Sequence, residues 1–178
     1  NLHQCGDPGT VYEGGPKGGS IYGRPIYRSI ADIPGPVDLA VLLTPAAAVP
    51  EVMEDCGRKG IRRVVVESGG FSELGEEGGR LAGLVKEAAA RWGIRFIGPN
   101  GLGVINRRLG LATSFGMLDP TVPAGSIAVL SQSGGVMLGL LHTLSSEGLG
   151  VSKVVSMGNK LAVDENDQLD YLIDDPDT

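Results

Sequence analysis

Five short apolar runs constrain the fold of this 178-residue chain more than any other feature. They are DLAVLLT (38–44), RRVVVES (62–68), IRFIG (94–98), SIAVLSQ (126–132) and VSKVVSMG (151–158). Each run is continuous rather than alternating, and most are rich in β-branched residues. That pattern marks strands covered on both faces, as in a parallel sheet. GTVYE (9–13) is a shorter strand candidate. Between the runs, apolar residues recur at helical spacing. Val49, Val52, Met53 and Cys56 share a face of 47–59, which stops at Gly60. Leu81, Leu84, Val85, Ala88 and Trp92 share a face of 76–92, which stops at Gly93. Val136, Leu140, Leu141 and Leu144 mark a third helix over 135–147, stopped by Gly148. Leu169, Leu172 and Ile173 mark a fourth over 164–174, with Asp164 as its N-cap. The order β-α-β-α-β, then β-α-β-α, predicts doubly wound α/β sheets. The stretch NRRLGLATSFGMLDPTVPAG (106–125) is weakly periodic and reads as a crossing between two α/β units.

The bulk composition narrows the partners. Acidic residues outnumber basic ones by 21 to 15, a net charge of −6 that argues against nucleic acid. No apolar run approaches the roughly 20 residues that span a bilayer, and no signal peptide is visible. Two lone cysteines, Cys5 and Cys56, suggest a reducing compartment rather than a disulfide framework. Neither they nor His3 and His142 have metal-ligand spacing. The chain opens on NLHQCG, which reads as the end of a helix, and closes on LIDDPDT. A piece of a longer polypeptide is expected.

Glycine makes up 29 of the 178 residues, about twice its usual share of about 7 %. The glycines sit where strands give way to helices. EGGPKGG (13–19), TPAAA (44–48), ESGGFSE (67–73) and GPNGLG (98–103) all follow strand candidates. In open α/β sheets such loops bind ligands. Together they would expose a groove of backbone N–H groups with Lys17 as the cation, suited to an extended phosphate-bearing ligand such as a nucleotide or coenzyme A. The alternative is a set of ordinary turns. The longer run IGPNGLGVIN (97–106) poses the same choice between a turn and a close approach to a ligand. In SQSGGV (131–136), Ser133 is the N-cap and Val136 falls at N3, so no capping box fills the free amides. Either water or a bound anion would satisfy them. His142 reads as a packing or surface residue. The acidic run DENDQLDYLIDD (164–175) lacks the glycine of a calcium loop. No catalytic nucleophile and no metal site is assigned.

Taken in order and spacing, PKGG (16–19), VLLTPA (41–46), ESGGF (67–71), IGPNGLGVIN (97–106) and SQSGG (131–135) resemble the NDP-forming acyl-CoA synthetases. That superfamily includes the succinyl-CoA synthetase α subunit and the ADP-forming acetate–CoA ligases. GNKLAVDENDQLDYLIDDPDT (158–178) resembles the acetate–CoA ligase branch in particular. The resemblance implies an α/β fold in two parts. Residues 1–108 would be a Rossmann-like CoA-binding domain lacking its first strand, and 109–125 a linker. Residues 126–178 would be the N-terminal part of a succinyl-CoA-synthetase-like flavodoxin domain. It implies that Lys17 lies near the phosphates or adenine of CoA. Thr44, Pro45, Ser68 and Gly69 would line the groove, and Pro99, Asn100 and Gly101 would meet the thiol end. The helix start at Ser133, Gly134 and Gly135 resembles the phosphate-stabilising helix that steadies a phosphohistidine, itself expected beyond Thr178. Two motifs depart from the pattern: Gly101 stands in place of the cysteine of GPNC, and Gly14-Gly15-Pro16 in place of VNP.

The implied reaction converts acyl-CoA, NDP and phosphate into carboxylate, CoA and NTP. ATP/ADP or GTP/GDP and Mg would bind with the rest of the enzyme. This chain alone would be inactive. It would work in the cytoplasm beside an ATP-grasp β-type domain or subunit, in an oligomer, with no nucleic acid or membrane partner. The alternatives are a CoA-binding regulatory module of an acetyltransferase fusion and a nicotinamide- or nucleotide-binding Rossmann protein.

Overall fold

A computed structural model describes residues 9–114 and 122–178. The helix end expected in NLHQCG and the middle of the 106–125 crossing lie outside the described residues, as do His3 and Cys5.

The first described elements are β1 (Glu13–Gly14), β2 (Gly19–Ile21) and β3 (Arg24–Tyr27). They form a small sheet in the order β1-β3-β2. Of the strand expected over 9–13, only Glu13 is in a strand, the two-residue β1. The chain turns directly afterwards through Pro16 and Lys17, closed by Gly18 N–H donating to the Gly15 carbonyl at 3.0 Å.

Next come β4 (Ala40–Leu42), α1 (Val49–Lys59), β5 (Arg63–Val66), α2 (Gly75–Trp92) and β6 (Arg95–Ile97). The three strands pair in parallel in the order β4-β5-β6. Both helices stop at the expected residues, Gly60 and Gly93. Met53 and Cys56 from α1 and Val85 from α2 pack with Leu42, Val64, Val66 and Phe96. The helices also meet each other: a β-carbon on Gly57 would lie 2.1 Å from Trp92 Cγ, so the indole lies on bare backbone. Gly83, on the exposed face of α2, is different, with nothing within 4 Å of its β-position. Gly83→Ala is expected to raise stability by about 0.5–1 kcal/mol, because alanine loses less backbone freedom on helix formation. A urea midpoint that stays put or falls would contradict this.

The second group is β7 (Gly103–Asn106), β8 (Leu111–Ala112), β9 (Ala124–Ser131), α3 (Gly134–Ser146), β10 (Val151–Ser156) and α4 (Glu165–Ile173). Its sheet runs β8-β7-β10-β9. β9 and β10 are parallel, as the continuous apolar runs predict. β7 is antiparallel to β10, pairing Ile105 with Val154. The sequence pattern reads 97–106 as a loop and 106–125 as a weakly periodic crossing. Instead Gly103–Asn106 and Leu111–Ala112 form a hairpin, turned where Leu109 N–H donates to Asn106 Oδ1 at 3.2 Å. Four residues and two leave no periodic signal to read. Asp164 caps α4 with a full capping box, Asp167 answering from N3. None of the described helices is long and apolar enough to cross a membrane.

All six residues of β10 are buried, including Lys153. Its ammonium pairs with Asp175 and, at 3.4 Å, with Asp177. The hydrogen bond from Lys153, joined by one from Thr178, holds the Asp175 carboxyl below the usual carboxylate range. A carboxyl depressed by folding contributes stability above its unfolded pKa and loses it as pH falls through the folded value. Asp175→Asn should therefore lower the urea midpoint at neutral pH, and the gap to wild type should close below about pH 4. A gap that does not vary with pH would separate this pair from stability.

Candidate functional site

Because β4, β5 and β6 are parallel and in register, their carboxyl ends lie side by side, Leu42 beside Val66 and Val65 beside Ile97. The loops 44–48, 67–73 and 98–103 therefore crowd one sheet edge, where open α/β sheets take ligands. They are tied by backbone. Glu67 N–H donates to the Leu42 carbonyl at 3.0 Å, and Asn100 N–H to the Ser68 carbonyl at 2.8 Å. The Ser68 hydroxyl donates to the Leu42 carbonyl at 3.3 Å. A β-carbon on Gly69 would lie 3.1 Å from Asn100 Oδ1, and one on Gly70 3.0 Å from Ala46 Cβ.

The edge thus gathers Thr44, Pro45, Ser68, Gly69, Pro99, Asn100 and Gly101. Pro45, Gly69 and Asn100 are exposed, while Ser68, Pro99 and Gly101 are buried. The Thr44 hydroxyl oxygen is buried without a hydrogen-bond partner among the described residues. An orphaned polar atom at a ligand edge fits a polar group arriving from a ligand. Lys17 is not brought here by any contact. It sits exposed on the turn between β1 and β2, in a different sheet, and no described hydrogen bond or ion pair ties it to the three loops.

The glycines of IGPNGLGVIN serve close packing between chain segments. Gly98, at φ +100°, has its β-position 2.1 Å from the Val66 carbonyl oxygen. The bond from Gly98 to Pro99 is cis, and the Pro99 carbonyl accepts from Asn159 N–H at 2.8 Å. Gly101 has its β-position 2.6 Å from the Ser156 carbonyl oxygen. A cysteine there would strike β10, which explains why this backbone carries glycine in place of GPNC.

The same loop reaches the start of α3. A β-carbon on Gly134 would lie 2.4 Å from Leu102 Cγ. Ser133 caps the helix, its Oγ accepting from Val136 N–H at a long 3.4 Å. The amides of Gly134 and Gly135 find no acceptor among the described residues. Ser133 and Gly135 are exposed. This first turn is open to an anion, favoured there by the free N–H groups and the helix dipole.

Two residues at this edge were missed by sequence reasoning. Glu73 Oε1 accepts from Gly70 N–H at 2.6 Å, and its Oε2 accepts from Asn159 Nδ2 at 2.7 Å. Desolvation alone would push the Glu73 carboxyl up. Hydrogen bonds from the N–H groups of Gly70, Glu73 and Phe71 and from Asn159 outweigh it and hold the group below the usual range. An acid three residues past a pair of glycines is the one local signal by which Glu73 could be found, and nothing local marks Asn159. The loop 67–73 is therefore not the open amide cradle that its glycines suggested. Elsewhere, His142 is exposed on α3. Cys56 is fully buried in the core, where desolvation and the neighbouring Asp55 push its thiol up to about 12. Among the described residues no three His, Cys, Asp or Glu side chains converge to hold a metal ion.

Residues 2–107, more than half of the chain, match the CoA binding domain family. The chain belongs to that family. Residues 124–178 match a second one, the succinyl-CoA ligase like flavodoxin domain. The CoA-binding domain is Rossmann-like, and both parts are α/β. Over 170 residues the chain is 45 % identical to "Acetate--CoA ligase [ADP-forming] I" of Archaeoglobus fulgidus, covering 96 % of this chain and 24 % of that protein. It is 41 % identical to the alpha subunit of "Acetate--CoA ligase [ADP-forming] I" of Pyrococcus furiosus, covering 100 % of this chain and 39 % of that one. A solved structure, acetyl-coenzyme A synthetase 1 of Ca. Korarchaeum cryptofilum in complex with phosphate and ADP, superposes with a TM-score of 0.92 at 34 % identity. It covers 99 % of this chain and 37 % of that one. The chain spans well under half the length of these relatives.

Proposed function

We propose that this chain is the CoA-binding and phosphate-stabilising part of a cytoplasmic NDP-forming acyl-CoA synthetase. The whole enzyme interconverts acyl-CoA, NDP and phosphate with carboxylate, CoA and NTP. One observation carries the reading: Leu102 leaves the ligand edge of the β4-β5-β6 sheet and lies against Gly134, so the edge and the open turn of α3 adjoin. A thiol delivered along the edge would arrive beside an anion held by the helix.

Coenzyme A, when bound, supplies the thiol that takes up the acyl group. The residues of this chain bind and orient it. The Thr44 hydroxyl gains the partner it lacks, and Gly69 and Asn100 present exposed backbone and amide to the pantetheine arm. Buried Ser68, Pro99 and Gly101 set the shape of the floor. Lys17 meets the phosphates or adenine from its separate turn. The free Gly134 and Gly135 amides, in the turn whose Val136 N–H is capped by Ser133, stabilise a phosphoryl group with fixed dipoles. Nucleotide, Mg and a phosphohistidine belong to the rest of the enzyme, including an ATP-grasp domain or subunit and an oligomeric assembly.

Titrating the full-length protein with CoA and with NAD in parallel tests the reading, together with an assay for acid-labile phosphate after incubation with ATP. CoA binding, no NAD binding and a labelled protein are expected. NAD binding without CoA binding would overturn the assignment. CoA binding without acid-labile phosphate would turn the protein into a CoA-binding regulatory module.

A further inference from the structure

The loop that follows β5 carries an anion of its own. Glu73 folds back over ESGGFSE, and both carboxylate oxygens are engaged: Oε1 by Gly70 N–H at 2.6 Å and Oε2 by Asn159 Nδ2 at 2.7 Å. The β-position of Gly69 lies 3.5 Å from the same Oε1, so the carboxylate sits directly against the glycine pair. Asn159 comes from beyond β10, 86 residues away in sequence. It is fixed in turn by its own N–H on the Pro99 carbonyl at 2.8 Å, and its Oδ1 accepts from Asn100 Nδ2 at 3.4 Å. Its Nδ2 also approaches Ser72 Oγ at 3.4 Å. A closed ring of contacts thus runs from the loop after β5, through the segment after β10, to the loop after β6 and back by Asn100 N–H to the Ser68 carbonyl.

Glycine-rich turns that present successive N–H groups hold phosphate. Here the turn is already filled, and by a group locked from a distant segment. We propose that Glu73, held by Asn159, is a built-in anion that denies this loop to phosphate and reserves it for the uncharged arm of the ligand. Glu73 is then a specificity-determining residue and Asn159 its positioning residue. The inference rests on the CoA reading only for the identity of that arm. The filling of the turn stands by itself. Its consequence for binding is one of polarity along the groove. A phosphate approaching 67–73 meets a carboxylate at close range and is repelled, so the charged end of the ligand is directed elsewhere on the edge. A neutral amide chain meets no such penalty.

Hydrogen exchange of 68–73, read by mass spectrometry on the full-length protein, tests this with inorganic phosphate and pantetheine as probes. In Glu73→Ala and Asn159→Ala the segment should exchange about tenfold faster than in wild type, the loss expected for a charge-assisted hydrogen bond. Inorganic phosphate should restore protection in Glu73→Ala and leave wild type unchanged. Pantetheine should protect the segment in wild type. Unchanged exchange in both variants, or phosphate protection of wild type, would overturn the proposal. Restored protection by phosphate in Glu73→Ala, with no response of wild type to pantetheine or CoA, would support the filled turn and sink the CoA reading. Asn159→Asp, which sets a second carboxylate against Glu73, should behave like Asn159→Ala without removing bulk.

Discussion

Gly98→Ala is expected to destabilise the protein by about 3 kcal/mol or more, from backbone strain and overpacking together. The residue holds φ at +100°, where an L side chain is strained in any surroundings. Its β-position lies 2.1 Å from the Val66 carbonyl oxygen, which is backbone of the central strand β5 and cannot rotate away. Relief would have to come from moving the loop after β6 off the sheet. That loop carries Pro99, whose carbonyl receives Asn159, and Gly101, which lies on Ser156. The cost is therefore shared by both α/β parts, and a single lowered unfolding transition should be seen. Gly83→Ala is the matched control, since it makes the same chemical change at an open helical position with the opposite sign. A Gly98→Ala protein with an unaltered urea midpoint would mean that the loop after β6 is not held against β5.

Gly135→Asp should separate stability from activity. Gly135 is the second residue of α3, exposed, with only Ser133 Oγ near its β-position at 3.9 Å, so a side chain fits. A carboxylate in the first turn favours the helix by about 0.3–1 kcal/mol, so the melting temperature should hold or rise. The same charge sits where the proposed function puts a phosphoryl group. Formation of the acid-labile phosphoprotein by the full-length enzyme should fall about a hundredfold or more, the scale on which losing a preorganised donor acts. CoA binding, at the neighbouring edge, should change little. Equal loss of both, or loss of neither, would separate this helix from phosphoryl chemistry.

The parts legible in the sequence are those with a hydrophobic period. The runs 64–68 and 151–158 are buried throughout, and Gly60 and Gly93 stop helices whose apolar stripes face one core. What escaped had no such period. The sheet β1-β3-β2 is largely exposed, so its strands show no apolar pattern. The hairpin of β7 and β8 is too short to show one, although Ile105 and Ala112 are both buried. At the candidate site, residue types were readable and their directions were not. The glycines of ESGGF and IGPNGLG promised open amides. The structure instead packs Gly98 and Gly101 on strand carbonyls and fills the first turn with Glu73. Contacts such as Glu73 with Asn159 join positions far apart in the chain, and composition cannot report them.

The pairing of β7 with β10 has a practical consequence for anyone who divides this chain. Sequence families part it near residue 107, yet β7 (Gly103–Asn106) draws its hydrogen bonds from Lys153 to Ser156. A protein ended just after residue 107 would lose both sheet neighbours of β7, β8 and β10, and leave its two edges bare, with Val104 and Ile105 as a sticky ribbon. Self-association of the truncated piece would then report the lost sheet neighbours and say nothing of how the intact protein assembles.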